Sequence, residues 1–395
     1  MCPVASAPGG PVSKNRRLCQ GAPHPTVRHS TLGSAQRPFV LGELTRQQSG
    51  RGEVCLRTRR CSMREHRSTS LFMTLVFLMG LAGCVADSAP KGGVPPFTLP
   101  PHLSLPGEFL IATALHGNPL FAAYGGGSVN DAINTAGSGV SAYTKYRLWS
   151  AGPQAPQYKF IETANGYSVM AFNGGGLATS NAIVTDLKGL PAGPNSAWGM
   201  FRFGRMGPNG VAITIQTSNG NFVTAVGGGG QLTNALHTDA TTAKSWEQFT
   251  VTKCGDLGSG FTYALLATGS GLLSASGGGG RTQGAIVTGG ADDSARFTLI
   301  RQADGTYALR TSNGINYVTA VGGGGRADDN TFHTDATQVQ AWEKFRILDQ
   351  GDCTYTIQTS NGGFVGGGGS GFATNLSAPL NPQSTALWRL YMFDL

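Results

Sequence analysis

Residues Val211–Phe249, VAITIQTSNGNFVTAVGGGGQLTNALHTDATTAKSWEQF, decide the fold. Ile213 and Ile215 alternate with polar neighbours, the period-2 pattern of a strand with one buried face. Ser218-Asn219-Gly220 supplies a hairpin turn, because Asn and Gly both tolerate positive φ. Phe222-Val223-Thr224-Ala225-Val226 predicts a second strand, and the glycines Gly227–Gly230 follow it. Ala235-Leu236-His237-Thr238-Asp239 predicts a third strand, and Trp246-Glu247-Gln248-Phe249 closes the unit.

Working outward, the unit recurs. Its closing motif, an aromatic, two residues, then Phe or Tyr, returns as Tyr143 with Tyr146, Trp198 with Phe201, Trp342 with Phe345 and Trp388 with Tyr391. A degenerate copy has Ser294 before Phe297, so the first positions are spaced by 55, 48, 48, 48 and 46 residues. Glycine runs recur at Gly125–Gly127, Gly174–Gly176, Gly277–Gly280, Gly322–Gly325 and Gly366–Gly369. The middle element recurs as Ala132–Thr135, Ala182–Asp186, Ala285–Thr288 and Thr331–Asp335, and is lost near Asn375-Leu376-Ser377 in the sixth copy. Three features in register over six copies define a repeat protein. Four-stranded units of this length suit either a six-bladed propeller or two β-trefoils, and periodicity alone does not choose.

The run Ile215–Ala225 closing on Trp246-Glu247-Gln248-Phe249 resembles the fascin-like β-trefoil repeat. Leu309–Gly314, Tyr317–Ala320 and Trp342-Glu343-Lys344-Phe345 match it equally. The resemblance spans roughly residues 108–395 and is most specific in copies three and five. The long glycine runs depart from the animal fascin pattern. Three such repeats make one trefoil, so the resemblance implies an all-β protein of two tandem β-trefoils, residues 108–254 and 255–395. It also implies actin binding, as in animal fascins, which bundle actin with basic surfaces spread over four trefoils. Its bacterial relatives resemble accessory modules beside polysaccharide-degrading domains.

Charge argues against the actin reading. The chain carries a formal +8, but residues 1–67 hold 12 basic and 3 acidic side chains, which leaves 17 basic and 18 acidic in the remainder. A nearly neutral folded part also lacks the phosphate-tracking surface of a nucleic-acid binder. The 60 glycines and 13% charged residues suit a turn-rich β protein.

Residues 1–62 carry Arg, Pro, Gly and Ser without apolar periodicity, and are expected to be disordered or to lie upstream of the true start. Met63–Arg67 is a basic n-region and Leu71–Leu81 an apolar h-region, too short for the ~20 residues of a bilayer span. Leu81-Ala82-Gly83-Cys84 resembles the bacterial lipobox, which implies a signal peptide over 63–83 and a lipid on the Cys84 thiol. Prolines from Pro90 to Pro106 make 84–107 a semi-rigid tether. The chain is thus expected to be exported and lipid-anchored to a bacterial envelope. Val85 in place of aspartate leans towards the outer membrane or cell surface.

The repeated aromatics are expected to plug the barrels, with Trp149, just beyond its motif, left as the exposed aromatic. His237 with Asp239 and His333 with Asp335 lie in matched His-Thr-Asp-Ala-Thr segments. They are candidates for a polar ligand contact, but recurrence at one repeat position also fits a structural loop, and no metal is expected there. The glycine runs lack the Lys-Ser/Thr of a phosphate loop and serve permissive backbone geometry. No Gly-x-Ser-x-Gly, His-Glu-x-x-His or Cys-x-x-Cys occurs, so no enzyme and no cofactor are expected. Cys254 and Cys353 precede the first strands of copies four and six, within one proposed trefoil, and could form a disulfide in an oxidising compartment. The function expected is non-enzymatic recognition of an extracellular glycan or surface polymer. The alternatives are actin binding and a structural envelope role without a ligand.

Overall fold

The computed structural model describes residues 104–395 except 154, 194, 207–210, 291, 369–370 and 377–384. The stretch 1–62, the signal peptide, Cys84 and the tether up to residue 103 lie outside the described residues. Each copy forms four strands. Copy one has β1 (Glu108–Thr113), β2 (Phe121–Ala122), β3 (Ile133–Asn134) and β4 (Lys145–Ser150). Copy two has β5 (Tyr158–Thr163), β6 (Tyr167–Ala171), β7 (Ile183–Lys188) and β8 (Phe201–Met206). Copy three has β9 (Ala212–Gln216), β10 (Phe222–Ala225), β11 (Leu236–Ala240) and β12 (Gln248–Cys254). Copy four has β13 (Thr262–Ala267), β14 (Gly271–Ala275), β15 (Ile286–Thr288) and β16 (Phe297–Arg301). Copy five has β17 (Tyr307–Arg310), β18 (Tyr317–Ala320), β19 (Phe332–Ala336) and β20 (Arg346–Asp349). Copy six has β21 (Tyr355–Gln358), β22 (Phe364–Gly368), β23 (Gly371–Leu376) and β24 (Leu387–Met392).

Pairing decides the architecture. The outer strands of copies one to three close a ring, β1–β4–β5–β8–β9–β12 and back to β1, every pair antiparallel. The inner strands form three hairpins, β2–β3, β6–β7 and β10–β11. Copies four to six repeat the plan. There β17 meets β20 where Tyr307 and Phe345 exchange backbone hydrogen bonds of 2.8 and 2.9 Å. A propeller would confine each copy to its own blade. Six-stranded barrels capped by three hairpins are β-trefoils, and the chain has two in tandem.

The barrel plugs are the second residues of the closing motif. Tyr146, Phe201, Phe249, Phe297 and Phe345 are fully buried, each worth about 1.5–3 kcal/mol of transfer energy. The tryptophans expected beside them are mostly elsewhere. Tyr143, Trp246 and Trp342 sit on 3-10 turns ahead of the strand and stay exposed. Trp198 is half-buried against Phe172, with ring centroids 5.4 Å apart. Trp388 is the exception, because it lies inside β24. It pairs with Ala267 as Tyr146 pairs with Thr163 and Phe249 with Thr113, so it takes the plug position and a smaller partner makes room for the indole.

The glycine runs do more than turn the chain. Gly229, at φ 118°, lies so close to the next barrel strand that an added Cβ would sit 3.0 Å from the Thr113 side chain. The same turns clasp the neighbouring copy. Gly127 N–H donates to the Thr185 carbonyl at 2.7 Å and Thr185 N–H to Ser128 at 2.8 Å. Gly176 reaches Thr238 and Gly230 reaches Thr135 in the same way, closing a three-way ring over the first trefoil. In the second, Gly280 clasps Thr334 and Gly325 clasps Thr374.

Both trefoils belong to one compact unit of the chain, and β12 meets β24 at Thr252 and Tyr391. Cys254 is joined to Cys353 by a disulfide. The expectation that both lie in one trefoil fails, because Cys254 is the last residue of β12 and belongs to the first barrel. The bond therefore staples the two trefoils together. Beside it, Tyr355 donates its hydroxyl to the Gly255 carbonyl at 2.9 Å.

Candidate functional site

The sequence Trp246-Glu247-Gln248-Phe249 assigns one task to each of three side chains. Phe249 enters the core at the start of β12. Glu247 turns inward and is buried, where its carboxylate accepts from the Thr224 hydroxyl at 2.8 Å and from Lys244 N–H at 2.7 Å. With the turn fixed from beneath, Trp246 is left facing solvent, 46% exposed. Copy five repeats the device: Glu343 accepts from Thr319 at 2.7 Å and Gln340 N–H at 2.8 Å, and Trp342 is 49% exposed.

Trp246 forms one wall of an open groove of about 530 Å³, with Asp239, Thr241, Thr242 and Lys244 around it. An apolar ring face beside one carboxylate, one ammonium and two hydroxyls suits a ligand with both C–H faces and hydroxyl groups. At the matched position in copy five, Asp335 and Thr337 are kept, while Gln338 and Gln340 replace Thr242 and Lys244. The two sites share an anchor and differ in charge.

His237 and Asp239 both lie on the outer side of β11, two residues apart. The His237 Nε2 meets Asn234 Oδ1 at 3.0 Å, and His333 Nε2 meets Asn330 Oδ1 at 2.6 Å. His333 Nδ1 lies 3.9 Å from Asp335. The histidines thus tie down the loop before their own strand, and the aspartates are left in the open. No group of three or more metal-ligating side chains occurs among the described residues. Trp149 is not the open aromatic that its position suggested. It lies in β4, half-buried against Phe160 and Met200, and its Nε1 donates to Glu162 at 3.0 Å.

No protein-family model matches the chain, and no curated protein does so. Solved structures do. A mosquitocidal holotoxin is 10% identical over 73% of this chain and 34% of its own, with a TM-score of 0.31, so this chain spans about a third of its length. The designed threefold-symmetric protein ThreeFoil is 12% identical over 37% of this chain and 97% of its own, with a TM-score of 0.31. SeviL bound to asialo-GM1 saccharide is 10% identical over 38% and 98%, with a TM-score of 0.28.

Proposed function

We propose that this chain is a non-enzymatic binding protein of the bacterial envelope, exported, anchored through a lipid on Cys84, and recognising an extracellular glycan or surface polymer. Its repeats would then form a bacterial branch of the fascin-like trefoils. The observation that carries the reading is the pair of open indoles, Trp246 and Trp342, held at one repeat position by buried glutamates. Leaving an indole in water forgoes the ~1.5–3 kcal/mol of burying it. An aromatic platform beside carboxylate and hydroxyl groups recovers that energy on the C–H face of a sugar ring. Two modest sites on one rigid body act together on a polymer by raising effective concentration. The Cys254–Cys353 disulfide supports export, since such bonds persist outside the reducing cytosol.

A glycan array read with the soluble region 104–395 tests the binding. Trp246→Ala and Trp342→Ala are each expected to weaken a positive signal roughly tenfold, an energy of about 1.4 kcal/mol, and together to abolish it. No signal above background, or full binding by the double variant, would refute it. Lipid labelling of the full chain tests the anchor: wild type should incorporate label and Cys84→Ser should not.

A further inference from the structure

The clasp that links neighbouring copies is made at five of its six positions among the described residues. The sixth, joining copies six and four, is not among the bonds of the described residues, which exclude 369–370. Its acceptor would be Thr288, since Ala285-Ile286-Val287-Thr288 repeats the Ala182-Ile183-Val184-Thr185 of copy two. Its donor would be the 3-10 glycine turn of the preceding hairpin, and the sequence of copy six is six residues shorter there. Phe222 to Thr238 spans sixteen residues in copy three, whereas Phe364 to Thr374 spans ten in copy six. Strand β22 ends at Gly368 and β23 begins at Gly371.

The consequence is measurable at one repeat position. Val184, under a closed clasp, is 2% exposed, and its counterpart Val287 is 42% exposed. Beside this position, residues from the hairpins of copies four, five and six line a cleft of about 540 Å³. Ile286, Phe332 and Phe372 give it an apolar floor, and Asp328 and Asp329 stand at its rim. The two carboxylates differ. Asp328 is engaged by Arg326 Nε at 3.0 Å and Nη2 at 2.5 Å. Asp329 makes no hydrogen bond or ion pair among the described residues. A second recess, reached past Gly284 and Asp329, extends the cleft towards His333.

We propose that this cleft is a separate ligand site, taking a single pyranose ring, the end of a chain or a side branch, through the cap of the second trefoil. The proposal rests on the saccharide reading given above. A ring with one C–H face lies on Ile286 and the exposed Val287, and two neighbouring hydroxyls donate to the Asp329 carboxylate. A wholly apolar ligand would desolvate that carboxylate without a partner, which is costly. The volume lies within the ~300–1,000 Å³ of small-molecule sites. The first trefoil, with its ring closed, keeps the corresponding valine covered, so the two halves of the chain would engage a polymer differently: the open indoles along its length, the cleft at its ends.

The test is amide chemical-shift mapping of region 104–395 titrated with methyl pyranosides of glucose, galactose, mannose and N-acetylglucosamine. At least one should shift the amides of Gly284–Val287 and Gly371–Ala373. Asp329→Ala should weaken that response at least tenfold, and Val287→Trp, which fills the mouth from an exposed position, should abolish it. Both should leave responses around Trp246 unchanged, and Trp246→Ala should leave the cleft response unchanged. Shifts confined to Trp246 and Trp342 would overturn the cleft while sparing the saccharide reading. No shift with any pyranoside, together with a blank glycan array, would overturn both. Cleft shifts that survive Asp329→Ala and Val287→Trp would also overturn the proposal.

Discussion

Lys253 is a buried cation at the junction of the trefoils. Its Nζ donates to the carbonyls of Cys254 at 2.5 Å and Glu108 at 3.3 Å, and lies 5.0 Å from the Phe109 ring centroid. Burial lowers its pKa to about 8, against the opposing pull of Asp256, Asp349 and Glu108. In the unfolded chain the same amine titrates near ~10.4. Between those values the unfolded state binds more protons, so stability rises with pH across that window. Below pH 8 the full penalty of burying the charge is present. Urea denaturation is therefore expected to show the wild type gaining stability from pH 8 to 9, and Lys253→Met losing that slope. The measurement stops at pH 9 because Tyr146, Tyr263 and Tyr355, whose hydroxyls burial pushes up, reverse the sign as the unfolded phenols ionise near ~10. A glycine shows the same sensitivity to a single atom. At Gly229 a methyl group would meet the Thr113 side chain at a φ that L-residues avoid, so Gly229→Ala should cost about 2 kcal/mol by thermal unfolding.

At the scale of the element, the turn into β12 separates two aromatics by function. Phe249→Ala should destabilise the protein by about 3–5 kcal/mol, and Trp246→Ala by under about 1 kcal/mol, both read by urea denaturation. That division was legible. Trp246 and Phe249 are three positions apart, the first on the turn and the second in the strand, so a period of two does not put them on one face. Val251, two beyond Phe249, marks which face is buried. Trp388 and Leu390 are two apart and both enter the core. Reading the aromatics as one class hid this, and with it the two indoles. The strands themselves were legible from Asn-Gly turns and alternation, since those signals act between neighbours in sequence. The glycine clasps were not. Gly127 and Thr185 lie far apart in the chain, and their bond follows from barrel closure. The cleft was hidden for the same reason. Six missing residues in copy six are visible in the sequence, but their effect is felt on Val287 of copy four.

Taken whole, the described chain is two barrels joined by a disulfide, by β12 against β24, by Arg205 on the Phe393 ring, and by apolar side chains that run from one core into the other. The disulfide spans 99 residues, and on chain-entropy reasoning a loop of that size contributes about 4.7 kcal/mol. Reduction, or Cys254→Ser with Cys353→Ser, is expected to lower the midpoint of urea unfolding by a corresponding amount. The second trefoil should yield before the first, because one hairpin of its cap is six residues shorter. Tryptophan fluorescence can follow the order, since Trp388 reports the second core and Trp149 and Trp198 the first half.

The position of that cross-link has one more consequence. Residues 255–352 hold the eight connections between successive strands from β12 to β20, including the glycine-rich segment Gly255–Gly260. A single scission anywhere in that interval releases nothing, because both cut ends stay tied through Cys254 and Cys353. A nicked molecule would keep its two trefoils attached, and would separate into pieces on a denaturing gel only after a reductant is added.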